Sequence, residues 1–263
     1  MILRRLADAL RRQDWATVVL EVLIVVLGVF LGIQVANWNE EMADRRLGED
    51  YRLRLIADLE TDLAALKGME TYYREVLDSV RDAIRLLGQP SPDARSLVKA
   101  TYRASEINYD PQTRATWDQI VSSGHIGLIP TAAAARLAEY FAFDFLREAN
   151  DQLYDSEYRE RVRRMIPLPV QEAIREGCSD VRLETAVIVG FTENCVIDVD
   201  EAMLDRVAQT LRADPGLIAS LNWHYSHAYS AAINSSGLAI QVQRALDALE
   251  PAGRSPDAPD PHR

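Results

Sequence analysis

The sequence predicts an all-α protein: one N-terminal transmembrane helix that continues into a long-helix periplasmic bundle. Three observations carry this. Between Trp15 and Trp38 the chain reads WATVVLEVLIVVLGVFLGIQVANW, almost wholly apolar from Ala16 to Ala36. At ~1.5 Å per residue that is roughly 31 Å of helix, about one hydrocarbon core. From Asn39 to Leu87 there is no proline, and apolar residues recur at three- and four-residue steps. Beyond that point Arg and Ala dominate, and no β-branched or aromatic run alternates as a strand would.

The first element is an anchor rather than a cleaved leader. A leader's apolar region is about 7–15 residues long and ends in small residues, whereas this run is longer and ends in Val35-Ala36-Asn37-Trp38. A tryptophan at each end suits the membrane interface. Arg4, Arg5, Arg11 and Arg12 crowd the N-terminal flank, and Glu40, Glu41 and Asp44 follow the span. The positive-inside rule then keeps residues 1–14 in the cytoplasm of a bacterial inner membrane and exports the rest to the periplasm. Lipid is the first expected partner.

Within the span, Gly28 and Gly32 form a small-xxx-small pair, GVFLG, which admits a neighbouring helix. Glu21 lies two turns earlier on the same face, with Val25 between. A carboxylate in the outer part of a span costs at most about 2.5–3.5 kcal/mol on insertion scales. Glu21, Val25, Gly28 and Gly32 are therefore the expected packing face. The partner is a second copy or another membrane protein.

The run EVLIVVLGVFLGIQVANWNE, followed by DYRLRLIADLETDL, resembles the start of a widespread family of uncharacterised bacterial single-span membrane proteins. WDQIVSSGHIGLIP resembles that family's middle segment, so the resemblance covers about the first 140 residues. It implies a membrane anchor and an α-helical body. It implies no activity and no catalytic residue.

After the anchor, residues 39–250 form the expected periplasmic domain. Ile56, Leu59, Leu63, Leu66, Tyr73, Leu77, Val80, Ile84 and Leu87 read as a heptad seam broken at Glu70. Gly88 ends that helix. Ser91-Pro92, Asp110-Pro111 and Asp214-Pro215 each place a capping oxygen before a proline, which predicts helix starts near residues 92, 111 and 215. Pro130 opens a long helix to about Met165. Asp200 caps a helix over 201–212, and 215–249 keeps a strict seam through Leu217, Leu221, His224, Ala228, Ala231, Ser235, Leu238, Val242, Ala245 and Leu249. The tail from Pro251 is rich in Pro and Asp and reads as disordered.

The formal net charge is −11, from 29 basic and 40 acidic residues. An acidic body repels phosphate backbones, which argues against nucleic acid as a partner. Cys178 and Cys195 lie on the exported side, where a bridge is permitted. Closing the intervening loop stabilises it by about 3 kcal/mol in the chain-entropy model.

Chemistry-bearing motifs are scarce. No P-loop, G-x-G-x-x-G, G-x-S-x-G or HExxH frame is present, and nothing calls for a cofactor. His224 and His227, three apart on a helix, are the weak metal candidates; a hydrogen-bonded seam histidine is the simpler expectation for His224. His125 between Gly124 and Gly127, with Phe141 and Phe145 on the aromatic helix, could line a ligand pocket, though such aromatics are more often core. Two functions remain open: a membrane-anchored interaction or scaffold subunit, or an extracytoplasmic ligand-binding module that signals through a partner. An enzyme has the least support.

Overall fold

A computed structural model describes residues 15–142, 144–184 and 187–250. The N-terminal arginines, the tail from Pro251 and Phe143 of the aromatic run lie outside the described residues. The protein is 78% helical and 3% strand, which establishes the all-α class.

Helix α1 (Trp15–Leu87) runs unbroken for 73 residues. It contains a stretch that is long and apolar enough to cross a membrane, with mean hydropathy 2.7 and none of it buried. The chain divides into two compact units after Arg52, so the two parts of α1 have different surroundings. In residues 53–87 the buried stripe is Leu55, Leu59, Asp62, Leu66, Met69, Tyr73, Val76, Val80 and Ala83. This corrects the expected seam. Leu59, Leu66, Tyr73, Leu77 and Val80 are buried as expected, but Asp62, Met69, Val76 and Ala83 share the buried face, while Leu63 and Ile84 are only partly buried. A 3-4 alternation reads equally well through either neighbour, and a carboxylate at position 62 disguises the true line. Glu70 is then no break: it sits beside the stripe and pairs with Arg74 at 2.6 Å.

Helix α2 (Ala94–Arg103) starts two residues later than expected, because Asp93 rather than Ser91 is the cap and accepts from the Ser96 N–H at 2.8 Å. The expected helix start at Pro111 is also wrong. Residues 106–114 form no regular element, and α3 spans Ala115–Ser122. Side chains of neighbouring elements bond to this segment instead. Tyr73 donates to the Asn108 carbonyl at 2.8 Å, and the Thr113 N–H donates to Asp62 at 2.9 Å. A 3₁₀ turn, His125–Leu128, follows Gly124, whose φ of 71° needs a glycine-like backbone.

The single helix expected over 130–165 is three: α4 (Thr131–Ala142), α5 (Phe145–Tyr154) and α6 (Glu157–Met165). Asp144 and Ser156 start the last two by accepting from the Arg147 and Arg159 N–H groups. Both residues favour caps over helix interiors, because their short side chains reach the free N–H groups of the next turn. Helix α7 (Leu168–Gly177) carries Pro169 in its first turn.

The chain then forms a small antiparallel hairpin, β1 (Asp180–Arg182) and β2 (Ile188–Phe191), with an irregular register after Val181. Helix α8 (Glu201–Ala213) has Asp200 at its N-cap position, but without the expected side-chain hydrogen bond. Helix α9 (Leu217–Leu249) buries every residue of its expected seam. It packs across α4, α5 and α6, while α2 packs on α8. One core joins Val80 and Leu86 of α1 to Leu97, Tyr158, Ile174, Leu204 and Leu221.

The hairpin rests on α1. At Gly68 an added Cβ would stand 2.6 Å from the Ile188 carbonyl oxygen, so only glycine admits this approach. Glu75 accepts from the Phe191 N–H at 2.7 Å, and the Tyr72 and Phe191 rings lie 4.8 Å apart.

Candidate functional site

At the expected membrane packing face, Val25 is exposed, a Cβ added at Gly28 or Gly32 meets no atom within 4 Å, and Glu21 is half-buried.

The two histidines of α9 part company. His224 is fully buried, and its Nδ1 lies 2.8 Å from Ser156 Oγ. Ser156 Oγ also accepts from the Arg159 N–H, so the hydroxyl ties the imidazole to the start of α6. Burial pushes the imidazole down to about 4, against a smaller upward pull from the Ala104 carbonyl; His227 and Arg159 add slightly to the drop. His227 instead stacks edge-on against Trp223 at 5.1 Å. Among the described residues no group of three or more His, Cys, Asp or Glu could hold a metal ion.

The aromatic residues are likewise dispersed. Phe141 is buried, stacked on Trp117 at 5.8 Å and on Tyr140 at 4.8 Å, with Arg114 over its outer face. Phe145 is half-exposed, and His125 lies in the 3₁₀ turn. A small cavity of about 10 Å³ nearby is lined by Asp62, Gln112, Tyr140 and Asp144 rather than by His125 or Phe145. It has room for about one water. Asp62 accepts from Tyr140 Oη and from the Thr113 N–H, both at 2.9 Å, while burial raises its carboxyl. This is a structural joint between α1, the 106–114 segment and α4.

A polar concavity of the helical body lies where no sequence motif points. It is a cleft of about 270 Å³ beside the disulfide, lined by Tyr102, Glu106, Ile174, Arg175, Cys178, Ser179, Asp180 and Arg182. The elements that build it are clear. Cys178 and Cys195 are bonded, with Cα atoms 4.5 Å apart, as the sequence allowed. That bond and the hairpin hold Ser179 and Asp180 opposite the end of α2; Thr192 fixes Ser179 through two hydrogen bonds to its carbonyl, at 3.0 and 2.8 Å.

Arginines surround this cleft. Arg175 Nε donates to Tyr102 Oη at 3.0 Å. Arg163 lies over the ring of the same tyrosine at 3.7 Å. Arg163 also donates to Ser105 at 3.1 Å, and its terminal nitrogen stands 3.0 Å from Glu106, an ion pair without hydrogen-bond alignment. Arg103 lies over Phe191 and donates to the Thr192 carbonyl at 2.7 Å. Burial lowers the pKa of both Arg103 and Arg159, yet neither approaches neutrality. Asp180 is raised, first by burial and then by repulsion from Glu106, against the pull of Arg182, Arg103 and Arg175. No sequence spacing joins these residues: they come from α2, α6, α7 and the hairpin.

Comparison of the chain with protein-family models, with curated proteins and with solved structures finds no match in any of the three.

Proposed function

We propose that this is a single-span protein of a bacterial inner membrane, its N-terminus cytoplasmic and its helical body periplasmic, serving as an interaction or scaffold subunit. The observation that carries the reading is α1 itself. One unbroken helix is apolar all round in its first part and supplies the central buried stripe of the helical body in its second part. A helix without a polar face has no stable place in water unless a membrane or other helices cover it. The open groove at Gly28 and Gly32 offers a close-packing site to a neighbouring helix. The disulfide fits an oxidising compartment, and the resemblance of the anchor to single-span bacterial proteins points the same way.

Photo-crosslinking from position 29, beside the glycine groove, tests this in membranes. The expected product joins this chain to a second membrane helix, identified by mass spectrometry as a copy of itself or as another protein. Monomer alone, or a product that survives replacement of both Gly28 and Gly32 by leucine, would remove the packing face. A reporter enzyme active only in the periplasm, fused to the C-terminus, checks the orientation.

A second reading is favoured by one observation. The mixed-charge cleft has a hairpin wall that sits directly on α1, through Glu75, Tyr72 and Gly68. A ligand held there would press on the helix that enters the membrane. On this reading the body is an extracytoplasmic ligand-binding module that reports to a partner protein.

A further inference from the structure

We propose that the cleft between Arg175, Tyr102 and the Cys178–Asp180 turn binds a small zwitterion of the α-amino acid class. The inference rests on the second reading above and names its ligand.

Four features of the cleft lead there. First, its lining carries both signs, Arg175 and Arg182 with Glu106 and Asp180, and these are interleaved: Asp180 lies 3.8 Å from Arg182, and Glu106 3.0 Å from Arg163. A ligand with one charge would meet repulsion from half of the lining, whereas a carboxylate and an ammonium on the same small molecule satisfy both halves. Second, the two carboxylates are close enough to repel one another while partly desolvated. A cation between them relieves that repulsion. Third, the Arg175 guanidinium is held at one nitrogen only, by Tyr102 Oη, and among the described residues its terminal nitrogens carry no hydrogen bond. A guanidinium anchored at Nε presents a rigid two-nitrogen fork, the geometry that grips a carboxylate through two parallel bonds.

Fourth, the size is right. At about 270 Å³ the space is below that of sites for drug-sized ligands and suits a molecule of a few heavy atoms. The walls are also firm. Tyr102 is buried and held by two guanidinium groups, Ile174 is buried beneath, and the disulfide fixes the turn. Such preorganisation limits the entropy lost on binding.

The experiment uses the full chain purified in detergent, with each protein L-amino acid added in turn. Thermal melting gives the first readout and calorimetry the affinity. At least one amino acid is expected to raise the melting temperature and to bind with measurable heat. For that amino acid, the matching acid without its amine and the matching amine without its carboxyl should each bind at least about tenfold more weakly. Arg175→Gln and Asp180→Asn should each weaken binding by a similar factor, while Arg164→Gln, on the exposed side of α6, should not. Both cleft residues are partly or fully exposed, so circular dichroism and an unchanged ligand-free melt verify that the variants fold.

If no amino acid shifts the melt, the inference is overturned. If simple carboxylates or inorganic phosphate bind as well as any amino acid and Arg175→Gln abolishes this, the zwitterion is wrong while the ligand-binding reading stands. Binding that ignores Arg175 and Asp180 would place the site elsewhere and overturn the assignment.

Discussion

From Trp15 to Trp38 and again from Leu55 to Leu86, α1 is rich in Val, Leu and Ile, yet the two stretches meet their surroundings in opposite ways. Val25 is 62% exposed and Phe30 55%, whereas Leu59 and Val80 are 0% exposed. Apolar content is higher in the first, and the distribution of charge separates them further. The first stretch carries a single ionisable residue, Glu21. The second carries charge on every turn of its outer face, and Asp78–Arg81 and Asp82–Arg85 ion pairs lie along it. A helix charged on one side can bury only the other, and it does so against protein. A helix apolar on all sides has no wet face to offer.

The largest effect expected from this difference is a pair of truncations in the same helix. Leu59→Ala removes a fully buried side chain and should destabilise the helical body by about 2–5 kcal/mol. Leu27→Ala, at a half-exposed position, should leave urea unfolding of the body unchanged. A comparable loss at both positions would mean that the first stretch is part of the protein core.

Opening the Cys178–Cys195 bridge comes next. It spans 17 residues and holds the hairpin on α1 and the turn over the cleft. Its loss through paired serine substitutions should cost about 3 kcal/mol in the chain-entropy model. The disturbance should be local to residues 178–197 and the facing turns of α1, as hydrogen exchange can map.

These contrasts also explain what the sequence could and could not disclose. The long apolar N-terminal helix, the helical class and the α9 seam were legible because each depends on a pattern within one helix. The α1 seam was misplaced by one residue near Leu63 because Asp62 occupies a core position, paired with Thr113 and Tyr140 that lie far away in sequence. The 130–165 segment hid two breaks, although Asp144 and Ser156 are ordinary capping residues; an aromatic run across the first break kept the helical pattern going. Asp110-Pro111 misled for another reason: the donors and acceptors of that segment are satisfied by Tyr73 and Asp62 on α1. The cleft was invisible because Tyr102, Glu106, Arg175 and Asp180 meet only in the fold.

The third effect concerns pH and the second unit alone. Burial holds His224 at about 4, well below its ordinary value near 6.5. The folded state therefore binds fewer protons than the unfolded chain between those values. Stability from this group is complete above pH 6.5 and is lost as pH falls toward 4. Between pH 7.5 and pH 5 the loss should be about 2 kcal/mol. His224→Gln can keep a bond to Ser156 but cannot titrate, so its urea midpoint should be lower at neutral pH and flatter across that range. An unchanged slope would mean that other groups set the pH dependence. Asp62 has the opposite sign: its raised carboxyl favours the folded state at low pH, and Asp62→Asn should remove that contribution while keeping an acceptor for Tyr140.

The smallest effect is the sharpest discriminator, because the same substitution should change sign along one helix. Glycine inside a helix costs roughly 0.5–1 kcal/mol relative to alanine. At Gly28 an added Cβ meets nothing within 4 Å, so Gly28→Ala should be neutral or slightly stabilising in an isolated chain. At Gly68 the same methyl would stand 2.6 Å from the Ile188 carbonyl oxygen and 2.8 Å from Val187 Cγ1. Backbone there cannot yield without lifting the hairpin, so the clash, of about 1–3 kcal/mol, outweighs the helix gain. Gly68→Ala should thus lower stability by about 1 kcal/mol net. It should also loosen the cleft wall, seen as faster exchange at the Phe191 N–H, which now donates to Glu75. In membranes Gly28→Ala gains a different meaning: if the groove is filled by a partner helix, the methyl lowers association while leaving the body's stability untouched. A Gly28→Ala variant that destabilised the body, or a Gly68→Ala variant that did not, would show that the contact of the hairpin with α1 is looser than these distances require.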